Sequence, residues 1–455
     1  MSSKTNTLTK DSSLTKNKDY TLFSWSKQDG LDPISVDHVD GVYIYDKSGK
    51  QYLDFSSQLM NVNIGHNHPA VKNAIKEQLD KVAYVFPGMA TEPRGNLGEK
   101  LSQLTPGSLN KTFFTTGGSD AIENAIKLAR IYTGKQKIIT RYRSYHGATY
   151  GAISAGGDPR KHPVHRETMP GIVHVEDPYC YRCPWGQEPH SCQSLCLDHV
   201  ERVIQFEGPE SIAAILMEGE SGSSGCIKYP PGYWKGIKAL ADKHEILTIS
   251  DEVMSGFGRC GQWFAIENHG VIPDMIVSAK GLSSGYIPLG AVTVSKAISD
   301  YFNDTPLPLG LTYSAHALAC AAGLACIAVY EDEQLLEKTR DNSQFLSKEL
   351  ARLTDKHLCI GDTRLTGLLG CIELVKNRQT KDPMAPWNAK PEQMTIMNQV
   401  SSKIKELGMH TFVRWNWIFI APPLTITKDQ LRDGLDIISE ALSIADHHYD
   451  TEKGV

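Results

Sequence analysis

The sequence predicts an α/β protein: a large domain on a mostly parallel sheet, plus a smaller α+β domain. Three observations point there. Between about Asp80 and Leu324, short apolar runs alternate with stretches of helical periodicity, the pattern of strand–helix units. The runs are rich in Val, Ile or Thr and lack strict alternation, as strands covered on both faces do. Beyond Val329 the order changes to a long amphipathic helix, two short strand-like runs and a final helix.

In chain order, residues 1–20 are polar and read as a solvated, disordered tail. GVYIYDKSGKQYLDF (Gly41–Phe55) alternates around a Gly-containing turn at Lys47–Lys50, which predicts a hairpin. The predicted buried strands are Lys111–Thr116, Lys137–Thr140, Ile212–Gly219, Ile246–Val253, Asp274–Lys280 and Gly290–Ser295. Ser119–Tyr132 places Ile122, Ala125, Ile126 and Ala129 on one face of a helix, and Tyr233–His244 does the same with Ile237, Leu240 and Ala241. Val329–Leu353 is predicted as one long helix, followed by strands in Leu368–Val375 and Trp417–Leu424 and a helix near Lys428–Ala445. The expected units are therefore a tail (1–20), a first segment of the small domain (21–75), a large domain (76–326) and the rest of the small domain (327–455).

Composition removes several function classes. The chain has 455 residues and a formal charge of −5, which gives no broad attraction for nucleic acid or an anionic membrane. No run of about 18 apolar residues is present to span a bilayer. The N-terminal stretch lacks the apolar core of a secretory signal, so a cytoplasmic location and reduced cysteines are expected.

Four pieces carry chemistry. Lys280 ends an apolar run and should emerge at the carboxyl end of a buried strand, where open α/β sheets place their sites. A lysine desolvated there becomes a nucleophile for carbonyls. Asp251 ends another such strand and could hold a positive ring nitrogen. TTGGSDA (Thr115–Ala121) is a Gly-rich strand-to-helix turn, suited to a phosphate, yet it is neither a Walker A loop nor GxGxxG. SYHGAT (Ser144–Thr149) offers an aromatic that could stack on a flat ring. Together they match what pyridoxal 5'-phosphate needs.

On these residues the sequence resembles the class III, or omega-amino-acid, aminotransferases of fold type I, across about Phe23–Leu442. DEVMSGFGR (Asp251–Arg259), SAKGLSSGYIPLGAV (Ser278–Val292), GLTYSAHALACAAGLA (Gly310–Ala325), NIGHNHP (Asn63–Pro69) and GGSDAIENAIKLAR (Gly117–Arg130) carry the likeness. The resemblance implies a large pyridoxal-phosphate domain and a small domain formed by both chain ends. It implies that Lys280 holds the cofactor as a Schiff base and shuttles a proton, and that Asp251 pairs with the pyridine nitrogen. It places Val253 and Tyr145 on the two ring faces, Gly118 and Ser119 at the phosphate, and Glu218 near the cofactor. Thr312 would reach in from a second subunit, so a homodimer or larger is implied.

Departures from the family narrow the substrate. Ornithine-, acetylornithine- and GABA-type branches pair an arginine with a switching glutamate; those positions look like Phe419 and Ser223 here, which argues against those donors. Arg414 resembles the mobile arginine of the omega-amine branch that accepts a 2-oxo-acid carboxylate. Trp25, Met60, Phe86, Trp415 and Trp417 are candidate pocket residues by family position. Cys180, Cys183, Cys192 and Cys196 are spaced C-x2-C-x8-C-x3-C, with His190 and His199 nearby. They form either a loop of reduced cysteines, the favoured alternative, or a zinc knuckle. By resemblance this insert belongs to the branch acting on taurine, β-alanine and similar ω-amines. Taurine with 2-oxoglutarate or pyruvate is the leading expectation.

Three other functions are compatible with parts of the sequence. GLSSG (Gly281–Gly285) fits the nucleophile motif of serine hydrolases at Ser283, but Pro288 denies the helix that motif needs. A metal-dependent interaction module could be organised around the four cysteines. A same-fold decarboxylase or racemase would use the same cofactor constellation.

Overall fold

The computed structural model describes residues 12–164, 168–189, 191–192 and 194–450. Its centre is a seven-stranded sheet of β1 (Leu109–Thr115), β2 (Lys137–Arg141), β3 (Ile172–Val175), β4 (Ile212–Glu218), β5 (Leu247–Asp251), β6 (Met275–Ser278) and β7 (Gly290–Ser295). The spatial order is β1-β7-β6-β5-β4-β2-β3. Only β7 runs against the rest, antiparallel to both β1 and β6. The predicted mostly parallel sheet is thus present, with one strand, IVHV of β3, that the sequence reading did not include.

Alternating strand residues enter two separate cores, which is why these strands read as unbroken apolar runs. Ile138, Ala214, Leu216, Met275, Val277 and Val292 pack with Ile122, Ala125, Ile126 and Ala129 of the Gly118–Thr133 helix. Their neighbours Ile139, Ile215, Met217 and Ile276 face Val200, Ile204, Trp234 and Ile237 of the Leu195–Glu207 and Tyr233–Lys243 helices. A strand buried on both faces holds the loops at its carboxyl end rigidly.

The smaller part has two sheets. Tyr43–Asp46 and Gln51–Asp54 form the predicted hairpin, flanked by Val36–Asp40. The fourth strand is Met409–His410, whose residues pair in parallel with Leu53 and Asp54. Ile360–Thr366, Leu369–Asn377, Val413–Arg414 and Trp417–Ile420 build the other sheet, and Asp382–Pro383 pairs with its Leu369–Asn377 strand. The buried Arg259 fastens these pieces together. Its Nη1 donates to the carbonyls of Leu368 (3.0 Å) and Pro422 (2.6 Å), and its Nη2 to Ser57 Oγ and Asn63 Oδ1, both at 2.9 Å.

Two expectations need correction. The long helix over Val329–Leu353 is two helices, Ala317–Asp332 and Leu335–Lys356. Gln334 takes a left-handed conformation (φ 53°) between them, a break that apolar periodicity cannot register because both sides stay in phase with a core. Residues 12–20 of the expected disordered tail form a helix, Ser12–Tyr20, with Asn17 Nδ2 donating to the Ser13 carbonyl. Polar composition separates buried from solvated segments, not helix from coil. Residues 1–11 lie outside the described residues.

Candidate active site

The carboxyl ends of the sheet strands surround a cavity of about 950 Å³. Lys280, Asp251, Val253, Glu218, Tyr145, Gly118 and Ser119 all line it, as do Trp25, Met60 and Arg414. These residues come from eight separate stretches of chain.

Lys280 follows β6 by two residues and sits at φ 44°, a conformation that a side-chain-bearing residue adopts at a cost. Burial lowers its ammonium to about 8, against the pull of Asp251 and Glu218 in the other direction. A lysine near that value supplies free amine close to neutral pH.

Asp251 ends β5. Its Oδ1 accepts the Val253 N–H at 3.0 Å, and its Oδ2 accepts from His146 Nδ1 at 2.7 Å. His146 is buried, with Nε2 lying 3.3 Å from Thr140 Oγ1. The carboxylate is thus aimed from two sides while lining the cavity. Next to it, Glu218 at the end of β4 accepts Arg141 Nη2 at 2.7 Å, and Arg141 Nη1 reaches Asp177 at 3.0 Å.

The turn after β1 packs tightly against this group. A Cβ on Gly118 would lie 2.9 Å from Val253 Cγ1, so only glycine lets the turn approach the segment just past β5 this closely. Ser119 opens the Gly118–Thr133 helix and its Oγ accepts the Ala148 N–H at 3.0 Å. Gly147, at φ 143°, would drive a Cβ to 2.4 Å from that same Oγ. The turn thus brings a helix N-terminus and a hydroxyl to the cavity wall, groups chemically suited to an anion.

The wall beyond Tyr145 is cationic. Arg160 lies 4.0 Å above the Tyr145 ring and 5.5 Å from the Trp25 ring. Arg414 reaches the cavity over Trp415, 4.2 Å from its ring centroid. Both arginines bond Asp158.

Some expected residues fall elsewhere. Phe86 is 66% exposed and does not line the cavity of its own chain. Thr312, expected to serve a second subunit's site, lies on the surface of this chain, its carbonyl accepting from Tyr84 Oη at 2.9 Å. Trp415 and Trp417 are buried in a core with Phe419, and Trp417 Nε1 donates to Glu373 at 3.2 Å. Aromatics near a site fill cores more often than pockets, and these two do so. Phe419 itself lines the cavity, as does Ser223. Ser283 also borders it, but its hydroxyl donates to the Ile287 carbonyl at 2.7 Å and no helix follows, which removes the nucleophile elbow.

The sequence reading missed His146, Arg160 and Asp158. His146 stands inside the quoted SYHGAT segment, and Asp158-Pro159-Arg160 is an Asp-capped turn that could have been singled out as a side-chain-directing loop. The four clustered cysteines are free thiols. Among the described residues no three His, Cys, Asp or Glu side chains converge to hold a metal; His190 lies outside the described residues.

Comparison with known proteins follows the same line. The family described as Aminotransferase class-III matches residues 25–442. A probable aminotransferase of Mycobacterium tuberculosis is 38% identical, covering 85% of this chain and 84% of that protein. A leucine/methionine racemase of Thermococcus litoralis is 35% identical over 90% of this chain and 91% of its own. Among solved structures, the taurine:2-oxoglutarate aminotransferase of Bifidobacterium kashiwanohense, in complex with PLP and glutamate, superposes with a TM-score of 0.93. It is 40% identical, and the match covers 99% of this chain and all of that one.

Proposed function

The chain belongs to the class-III aminotransferases, and from that premise we propose that it moves the amino group of an ω-amino acid, with taurine the foremost donor, to 2-oxoglutarate or pyruvate. The observation that carries the substrate reading is the cationic wall. Arg160 and Arg414 line the same cavity as Lys280, and Arg160 lies close enough to help lower the lysine's pKa. An amine carrying an acid group at its far end would place the amine at Lys280 and the acid on the guanidiniums. The taurine:2-oxoglutarate enzyme among the structural relatives supports the same donor and favours 2-oxoglutarate as acceptor. Phe419 and Ser223, standing where other branches keep an arginine and a glutamate, argue against ornithine and GABA.

The residues present fit pyridoxal phosphate. The turn at Gly118, held against Val253 with no room for a side chain, lines the cavity with Ser119 and would take the phosphate. Asp251, braced by His146, would hold the ring nitrogen, and Val253, Tyr145 and Glu218, which line the same cavity, would border the ring. When bound, the cofactor supplies an electron sink for the pair released as the donor's C–H bond breaks. Lys280 would hold the cofactor, and its amine would move the proton at the amine-bearing carbon of the donor. The fixed Asp251 carboxylate favours positive charge on the ring nitrogen.

The working unit is a homodimer in this proposal. Thr312 lies outside this chain's cavity beside exposed Tyr84 and Tyr313, whose rings stand 5.9 Å apart, a surface suited to a second copy. Ten cysteines, all free, favour a cytoplasmic setting.

The test is the visible spectrum of the purified protein with taurine as sole addition. Bleaching of the lysine-bound cofactor band, with glutamate formed on adding 2-oxoglutarate, is the expected result. A band that persists with taurine but bleaches with β-alanine moves the donor. No band after incubation with pyridoxal phosphate refutes the cofactor assignment.

A further inference from the structure

Arg160 and Arg414 meet on a single carboxylate. Asp158 Oδ1 accepts from the Arg160 backbone N–H and from its Nε, both at 2.9 Å; Oδ2 accepts from Arg160 Nη2 at 3.2 Å and Arg414 Nη2 at 2.8 Å. The Asp158 side chain is 3% exposed, while those of Arg160 and Arg414 are 29% and 24% exposed. The carboxylate thus lies behind the two guanidiniums. Two positive charges on one negative leave this wall with a single net positive charge.

The two arginines are held unequally. Arg160 makes three hydrogen bonds to Asp158 within one tight turn and is flanked by the Tyr145 and Trp25 rings. Arg414 comes from the far sheet, with one bond to Asp158 and a longer one, 3.3 Å, to the Ser223 carbonyl. Burial would raise the Asp158 carboxyl, and Arg160 and Arg414 overcome it, holding the group below its ordinary value. Asp158 is therefore a permanent anion at the place where a substrate acid would bind. The other charged groups lining the cavity, Lys280, Asp251, Glu218 and Glu220, are not in this cluster of bonds.

Resting on the acid-bearing-amine reading above, we propose that Asp158 is a positioning residue that replaces the missing arginine–glutamate pair. It keeps Arg160 fixed and competes with the substrate's sulfonate or carboxylate for Arg414. Arg414 leaves Asp158 when an acid group enters and returns when it departs, so one cavity serves donor and acceptor in turn without trapping either. The sequence hid this because the partner of Arg414 lies 256 residues away.

The experiment compares the Asp158→Asn holoenzyme with wild type, using calorimetric binding of ethanesulfonate, which has taurine's acid but no amine. Removing the resident competitor should tighten ethanesulfonate about tenfold, and lower KM and kcat for taurine together. An unchanged or weaker affinity, with the cofactor band intact, overturns the proposal; a merely structural clamp would weaken binding. Should Asp158→Asn fail to retain cofactor, Arg414→Leu serves: ethanesulfonate should weaken about tenfold, and unchanged affinity overturns the exchange. Wild type that binds ethanesulfonate but is not bleached by taurine refutes the donor assignment while leaving the role of Asp158 to the variants. No binding to wild type refutes both.

Discussion

Lys280 couples chemistry to stability. Its ammonium, lowered to about 8 by burial, is charged in both folded and unfolded chains below that value, so the folded state bears the full desolvation cost there. As pH rises from about 8 towards 10.5, the folded state has lost the proton while the unfolded state keeps it, and the cost is relieved. Lys280→Met should therefore raise the melting temperature of the cofactor-free protein near neutral pH, with the gain shrinking by about pH 10. The same variant should show no transamination. His146→Asn should remove a charge-assisted hydrogen bond worth about 1.5–3 kcal/mol, lowering kcat about tenfold or more, with little change in thermal unfolding beyond that bond. Equal kcat in wild type and variant would show that Asp251 needs no such brace. Lys280 and Asp251 were legible in the sequence because each ends an apolar run. His146, Asp158 and Arg160 were not, because their meaning depends on partners 105, 256 and 15 residues away, as His146–Asp251, Asp158–Arg414 and Arg160–Tyr145 show.

Among the elements, the strand ends do most to build the cavity, and glycines set how near they come. Gly147→Ala should push on Ser119 and weaken cofactor retention about tenfold, read by dialysis against the visible band, with the far-ultraviolet spectrum unchanged. Glu252, one residue past β5, is buried and takes four donors: Ser250 Oγ, Ser255 Oγ and the Ala265 and Ile266 N–H groups. Glu252→Gln replaces one accepting oxygen by a donor and should cost about 1–3 kcal/mol, measured by denaturant unfolding. Five of the six predicted strands have their cores in place but run past or short of their true ends, and Gly290–Ser295 matches at both. The β3 segment escaped because its four residues, three of them only partly buried at the sheet edge, lack a run long enough to read.

At the scale of the molecule, the surface around Tyr84, Thr312 and Tyr313 should be covered by a second copy. Tyr313→Arg should shift sedimentation towards the monomer and lower activity in step, and an unchanged dimer would move the interface elsewhere. The α/β plan was visible from alternation alone, whereas the joining of the two chain ends into one sheet came only through family resemblance, since no local pattern encodes the pairing of Leu53 with Met409. That pairing has a consequence during synthesis. Every strand of the seven-stranded sheet has left the ribosome before Met409 is made, so the large domain can close while the Gln51–Asp54 strand still has an open edge. For most of translation that edge has no strand partner, since the hairpin covers only the opposite side of the Gln51–Asp54 strand. A chain released before residue 409 would expose it permanently, and slow codons or premature termination late in the message would then yield aggregation rather than a shortened enzyme.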